Sequence, residues 1–219
     1  MQVAIVHNFC KRVLAVVTRT MGPIHIYGME NVPAEGPVII ASNHQSYLDP
    51  IVIALPFKRP MQAIAKKYLF KIPVFAQIID LMGAFPVDPR SGLRGAIRAS
   101  LEVLEKGRPL LIFVEGKRTR GVFEPPQAGV AMIARKSGAP VIPTLVTGTH
   151  KAFSPDHPGF HRSHFTVTFG KPMYFCSDEK RPDLDADARS VMAAIAALRA
   201  ETPDAWPELH EEDLPPERA

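Results

Sequence analysis

The sequence predicts an α/β fold: a single domain with a mostly parallel or mixed central sheet flanked by helices, preceded by a short amphipathic helix. Three observations predict it. Short runs rich in Val, Ile and Leu, namely Val38–Ala41, Leu110–Val114 and Val141–Val146, read as strands buried on both faces. Between them lie segments with apolar residues three and four apart, the spacing of helices packed on a sheet. The 219 residues, 46% apolar and 22% charged, supply one substantial core and exclude a disordered chain, a coiled coil and a collagen-like repeat. Strands alternating with helices feed a largely parallel sheet, and such sheets bind ligands outside the carboxyl ends of their strands.

Each element follows from its residues. From Val3 to Thr20, apolar residues at 3, 6, 9, 10, 13, 14, 16 and 17 oppose His7, Asn8, Lys11, Arg12, Thr18 and Arg19. That is a helix whose cationic polar side suits an anionic membrane surface and whose apolar side suits the protein's own core equally well. Gly22-Pro23 ends it. Ile24–Tyr27 reads as a strand, 28–37 as a turn-rich link, Val38–Ala41 as a strand and Leu48–Leu55 as a short helix. Gln62–Ala65 reads as a strand, Lys66–Leu81 as mostly helical around Pro73, and Gly83–Val87 as a strand. Leu93–Glu105 carries one stripe of Leu93, Ile97, Leu101 and Leu104, and Gly107-Arg108-Pro109 breaks it. Leu110–Val114 is a strand and Gly129–Lys136 a helix. Val141–Val146 is a strand whose Pro143 suggests a sheet edge or a strand end. Phe165–Phe169 alternates like another strand, and Leu184–Ala200 is an alanine-rich helix. The chain divides into an amphipathic helix (1–21), the main domain (22–202) and an acidic, proline-punctuated tail (203–219) that reads as loose.

Cys10 and Cys176 form no CxxC and imply no disulfide framework, so a reducing compartment is expected. No uncharged run reaches the roughly 18–20 residues of a membrane span, and no signal-peptide pattern opens the chain. The net charge of +4 hides a split. Residues 1–177 carry 21 Lys and Arg against 10 Asp and Glu, whereas 178–219 carry 5 against 12. A basic body suits a phosphate-bearing substrate, an acidic lipid surface or an acidic carrier protein. No nucleic-acid recognition motif accompanies it, so a nucleic-acid partner is not expected.

Two segments carry chemistry. Asn43-His44-Gln45-Ser46-Tyr47-Leu48-Asp49 directly follows a buried strand. At a loop-to-helix junction the chain can fold back so that Asp49 meets a nitrogen of the His44 ring. That contact makes His44 a general base, typically worth about 10² to 10⁴ in rate. The plainer alternative is a helix-capping Asp beside a structural His. Phe113-Val114-Glu115-Gly116-Lys117-Arg118-Thr119-Arg120 follows the strongest strand. Glycine with three cations there makes a phosphate cradle or an exposed basic turn. It is not a P-loop, because Leu111 stands where that motif needs glycine. His150, His157, His161 and His164 lie in an irregular, Pro- and Gly-rich stretch without flanking Cys or a carboxylate set, so no metal is expected. GxSxG is absent and neither cysteine sits in a motif, which leaves no evident covalent nucleophile.

The segment 43–49, then Gly83–Arg90, then Phe113–Arg120, then Val141–Thr144 fall in an order that resembles the glycerophospholipid acyltransferase family, above all its 1-acyl-sn-glycerol-3-phosphate acyltransferase branch. NHxxxxD is matched in full. The GxxPVDR-like block has Pro89 between Asp88 and Arg90, and the FPEGTRS-like block has Val114 and Lys117 in place of Pro and Thr. The resemblance covers residues 24–170. It implies His44 as the base that deprotonates an acceptor hydroxyl and Asp49 as its orienting partner. It groups Asn43, Arg90, Glu115, Gly116, Lys117 and Arg118 as substrate-binding residues. It implies acyl transfer from acyl-CoA or acyl carrier protein to lysophosphatidate, giving phosphatidate, with these donors as co-substrates and no further cofactor. The expected place is the cytoplasm, peripherally at the inner face of a membrane. Another acceptor, such as glycerol 3-phosphate or another lysolipid, and a catalytically silent lipid-binding protein are the alternatives.

Overall fold

The computed structural model describes residues 14–16, 18–66, 85–87, 92–119, 122–154, 159–175 and 181–202, with backbone alone for 64–66 and 85–87. Residues 14–16 and 18–21 are helical, and the rest of the predicted N-terminal helix lies outside the described residues. So do most of the predicted 66–81 helix, the tail beyond 202 and both cysteines.

The elements in chain order are β1 (Ile24–Tyr27), a 3-10 turn (Met29–Asn31), β2 (Val38–Ser42), α1 (Asp49–Ala54), β3 (Gln62–Lys66), β4 (Phe85–Val87), α2 (Gly92–Glu105), β5 (Pro109–Phe113), α3 (Gly129–Ser137), β6 (Val141–Thr147), α4 (Thr149–Ala152), β7 (Phe165–Phe169) and α5 (Leu184–Glu201). The strands form one seven-stranded sheet in the order β1-β7-β6-β2-β5-β3-β4. Five strands, β6 through β4, run parallel. β7 is antiparallel to β6, and β1 runs parallel to β7. The sheet is therefore mixed, with an inverted pair at one edge.

Both faces are covered, which explains why β2, β5 and β6 read as unbroken apolar runs. On one face Ile39, Ala41, Leu110, Val141 and Leu145 pack against α2, α3 and α5 through Ile97, Leu104, Val130, Ile133, Val191 and Ile195. On the other, Val38, Ile40, Leu111, Ile142 and Val146 meet Ile51, Val52 and Phe57, with Phe165, Val167 and Phe169 of β7. Side chains alternate between the faces with the period of two that strands impose. Asp183 caps α5 by accepting from the Ala186 amide at 2.9 Å.

Pro143 corrects one expectation. It stands in β6, an interior strand, and not at an edge. The ladder to β7 begins only at Thr144, so no β7 residue is registered opposite Pro143, and its carbonyl still accepts from Gly170 N at 2.8 Å. A strand tolerates proline where one neighbour has not yet begun to pair.

Two features place the functional end. The parallel register sets Ser42 of β2 opposite Phe113 of β5 and opposite Thr144 of β6, so the chain leaves adjacent strands at the same level. At the other end of the same strands, Arg59 donates through Nη1 to Gly36 O (2.5 Å) and Gly107 O (2.9 Å), and through Nη2 to Pro33 O (3.0 Å).

Candidate active site

The site grows from the carboxyl ends of β2 and β5. Beyond Ser42 the chain stops pairing as a strand, and Asn43 fixes its exit. Asn43 is fully buried; its Nδ2 donates to Val146 O at 2.9 Å and its Oδ1 accepts from Val146 N at 2.9 Å. The next residue, His44, turns its ring back over the helix start. His44 Nδ1 lies 2.8 Å from Asp49 Oδ2. The same oxygen accepts the amides of Gln45 (2.6 Å) and Ser46 (2.8 Å). Asp49 is the first residue of α1 and is wholly buried. Proline at the next position suits a helix start, because the amide it lacks has no intrahelical partner there. Of the two readings weighed from the sequence, the carboxylate orients the ring; it does not cap the helix, which has no side-chain cap, and its other bonds hold the turn that precedes it. The His44 ring stacks on Phe113 with centroids 3.8 Å apart and planes 13° from parallel.

The β5 turn grips the backbone of His44 from the other side. Val114 N donates to Ser42 O at 3.0 Å, which carries the β2–β5 pairing one residue past the strands. Glu115 Oε2 accepts His44 N at 2.8 Å, and its Oε1 accepts Glu124 N at 3.3 Å. Thr119 closes the clamp: its amide donates to His44 O at 2.7 Å and its hydroxyl to the same oxygen at 3.2 Å. Between them Gly116 has φ 69°, a left-handed turn that glycine adopts freely, and a Cβ there would meet Gln127 Cγ at 3.2 Å. Burial pushes the Glu115 carboxyl up to about 7, with Asp49 and Glu124 adding to the rise and the two amide bonds opposing it.

The two described cations of this turn differ. Lys117 is exposed and its Nζ pairs with Glu124 Oε2 at 2.5 Å. Arg118 lies over Tyr47, its guanidinium carbon 3.9 Å from the ring centroid, and its Nε is buried without a hydrogen-bond partner.

Of the residues singled out from sequence, His44, Asp49, Asn43, Glu115, Gly116, Lys117 and Arg118 converge on this one corner of the sheet. Arg90 lies outside the described residues, as does His157. Two side chains grouped as substrate-binding are committed within the protein: the Asn43 amide is taken up by β6, and the Glu115 carboxylate by the backbone of His44 and Glu124. Among the described residues, no three His, Cys, Asp or Glu side chains gather at a metal-sized site. Sequence reasoning gave no part to Thr119, Phe113 or Tyr47. Their positions inside the two singled-out segments were the available signal, but contacts across 75 residues, as from Thr119 to His44, leave no local mark.

Chemically, a ring nitrogen facing a buried carboxylate carries the proton, which leaves His44 Nε2 as the basic nitrogen. A family model described as acyltransferase matches residues 23–147, which takes in β1 to β6 and both turns. The chain belongs to the acyltransferase family. It is 34% identical over 155 residues to a chloroplastic 1-acyl-sn-glycerol-3-phosphate acyltransferase of Brassica napus, covering 68% of this chain and 44% of that protein. It is 28% identical over 171 residues to the 1-acyl-sn-glycerol-3-phosphate acyltransferase of Bacillus subtilis, covering 77% and 82%. A solved family structure, the 1-acyl-sn-glycerophosphate acyltransferase of Thermotoga maritima, superposes with a TM-score of 0.68 at 25% identity, covering 90% of this chain and 80% of that one. The chain spans less than half the length of the plant relatives it matches, 44% and 48%.

Proposed function

We propose that the protein transfers a fatty acyl group from a thioester to the free hydroxyl of lysophosphatidate, forming phosphatidate. The observation that carries this reading is the 2.8 Å contact between His44 Nδ1 and a buried Asp49, on the same turn as the Tyr47 ring that holds an arginine with no carboxylate partner among the described residues. His44 Nε2 takes the proton of the acceptor hydroxyl as its oxygen attacks the thioester carbonyl carbon. Asp49 stabilises the imidazolium that forms. Collapse of the tetrahedral intermediate breaks the carbon–sulfur bond. The thiolate leaves and takes the proton from the imidazolium, so His44 ends neutral. Transfer is direct in this reading. The hydroxyls nearest in sequence are both engaged: Ser42 donates to Asn43 O at 3.0 Å and Ser46 donates to Phe153 O. Arg118 receives the acceptor phosphate, and the donor is acyl-CoA or acyl carrier protein.

We place the reaction at the cytoplasmic face of a membrane, where the basic body of the chain meets anionic lipid. No described helix is long and apolar enough to cross a bilayer. Co-sedimentation with phosphatidylglycerol vesicles, weakened by added salt, is the expected result, and equal binding to neutral vesicles rejects the placement.

The test of the activity is thiol release from oleoyl-CoA with lysophosphatidate in mixed micelles, against His44→Ala. Release that requires lysophosphatidate and vanishes in the variant is expected. Release with glycerol 3-phosphate or another lysolipid instead changes the acceptor. Silence with both CoA and carrier-protein donors across all acceptors rejects the enzyme.

A further inference from the structure

Two described cations follow β5, and only one of them has a carboxylate partner among the described residues. Glu124 answers Lys117 at 2.5 Å. Among the described residues no carboxylate pairs with Arg118, and its buried Nε has no acceptor. What holds Arg118 is the Tyr47 ring, 3.9 Å from its guanidinium carbon. A guanidinium seated over an aromatic face is held there without spending its N–H donors, which stay available to phosphate oxygens.

Tyr47 is itself fixed from three directions. Before it, Ser46 N donates to Asp49 Oδ2 at 2.8 Å; after it, Leu48 N donates to Ser46 Oγ at 3.1 Å. Beyond it, the Phe153 ring leans on the Tyr47 ring, with centroids 5.4 Å apart and planes at 41°. The Ser46 hydroxyl also donates to Phe153 O, tying this turn to the end of α4. The ring therefore has a rigid mount, and that mount shares its oxygen, Asp49 Oδ2, with the base His44.

We infer that Tyr47 is a positioning residue for the acceptor: its ring carries Arg118 and aims its free edge at the phosphate, at a spacing from His44 fixed by their common seven-residue turn. The inference rests on the proposed phosphorylated acceptor. Base and anion holder become one unit, in which Asp49 sets where the hydroxyl reacts and Tyr47 sets where the phosphate sits.

Two variants separate the ring face from bulk. Tyr47→Phe keeps the face, and Tyr47→Leu keeps apolar volume without it. Losing the face is expected to raise KM for lysophosphatidate about tenfold, and to weaken binding of glycerol 3-phosphate, followed by calorimetry, to the same degree. The loss falls on KM and not on kcat, leaves KM for oleoyl-CoA in place, and is rescued by phenylalanine. In an Arg118→Met background, Tyr47→Leu is expected to add nothing further. The inference is overturned if Leu costs as much in that background, if Phe is as harmful as Leu, or if both KM values rise together with a fall in melting temperature. Loss of glycerol 3-phosphate affinity in Tyr47→Leu, with no lysophosphatidate turnover by wild type, keeps the Tyr47 assignment and rejects the acceptor. Lysophosphatidate turnover with an unchanged KM in Tyr47→Leu does the reverse.

Discussion

At the amino ends of β2 and β5 a single arginine gathers carbonyls, whereas at their carboxyl ends two carboxylates gather amides. Arg59 holds Pro33, Gly36 and Gly107; Asp49 holds Gln45 and Ser46; Glu115 holds His44 and Glu124. Both arrangements satisfy backbone groups that the strand ends leave without ladder partners, and Arg59 and Glu115 thereby tie loops distant in sequence. They differ in what remains. Arg59 spends its guanidinium on three carbonyls, and its partial burial lowers its affinity for the proton while Glu35 partly restores it. At the carboxyl end the clamps fall on main chain, so the side chains with reactive capacity, the His44 ring and the Arg118 guanidinium, keep theirs. A stable edge and a working edge use the same bonds, and the working edge spends them one atom away from the chemistry.

The sharpest way to break this contrast is His44→Ala. Turnover should fall by about 10² to 10⁴, because a positioned base is lost, while the unfolding midpoint stays within a few degrees of wild type. A large stability loss would make His44 a structural residue like Arg59. Glu115 gives the next effect. Its carboxyl ionises near 7 when folded and near 4.5 when unfolded, so the folded state holds the proton longer. Stability is therefore full below pH 4.5 and declines as pH rises through 7, by about 3 kcal/mol in all. Urea midpoints at pH 5 and pH 8 should show this, and Glu115→Gln should flatten the slope; an unchanged slope removes Glu115 from the account. Arg59→Ala should cost about 1–3 kcal/mol of stability, since three carbonyls lose a charged donor, yet leave kcat of the folded protein intact. A fall in kcat with no change in midpoint would join the two edges functionally. The smallest effect is expected from Lys117→Ala, whose exposed pair with Glu124 contributes under about 1 kcal/mol by the same urea assay.

The central strands were legible because each is an apolar run ended by a turn. Ile24–Tyr27 and Phe165–Phe169 are strands over those same residues, and Val38–Ala41 falls one residue short of the observed β2. The His44–Asp49 pair was legible because both ends of the contact lie within six residues, where loop geometry limits the outcomes. The short helix Thr149–Ala152 was not, since four residues carry no period. Nor was the Arg59 clamp, whose partners are carbonyls of Pro33, Gly36 and Gly107, and backbone oxygens have no residue type to read. Pro143 misled for a related reason. A proline excludes a donor only where a neighbouring strand asks for one, and that depends on where β7 begins. Glu115 was grouped with substrate contacts, because the donors it accepts from are backbone amides that only folding brings to it.

The inverted edge sets a schedule. Among the described residues β1 pairs only with β7, and Asn31, just after β1, donates to Phe169 O across 138 positions of chain. Synthesis adds about 5–20 residues per second, so β1 waits roughly 7–28 s for its partner. By residue 147 the β2, β5 and β6 ladder has all its strands, while the flank of β6 that β7 will cover is still open. A nascent chain that has emerged from the ribosome through residue 147 but not yet through 165 holds out an unpaired strand edge, the surface that a chaperone shields and that a neighbouring nascent chain can join.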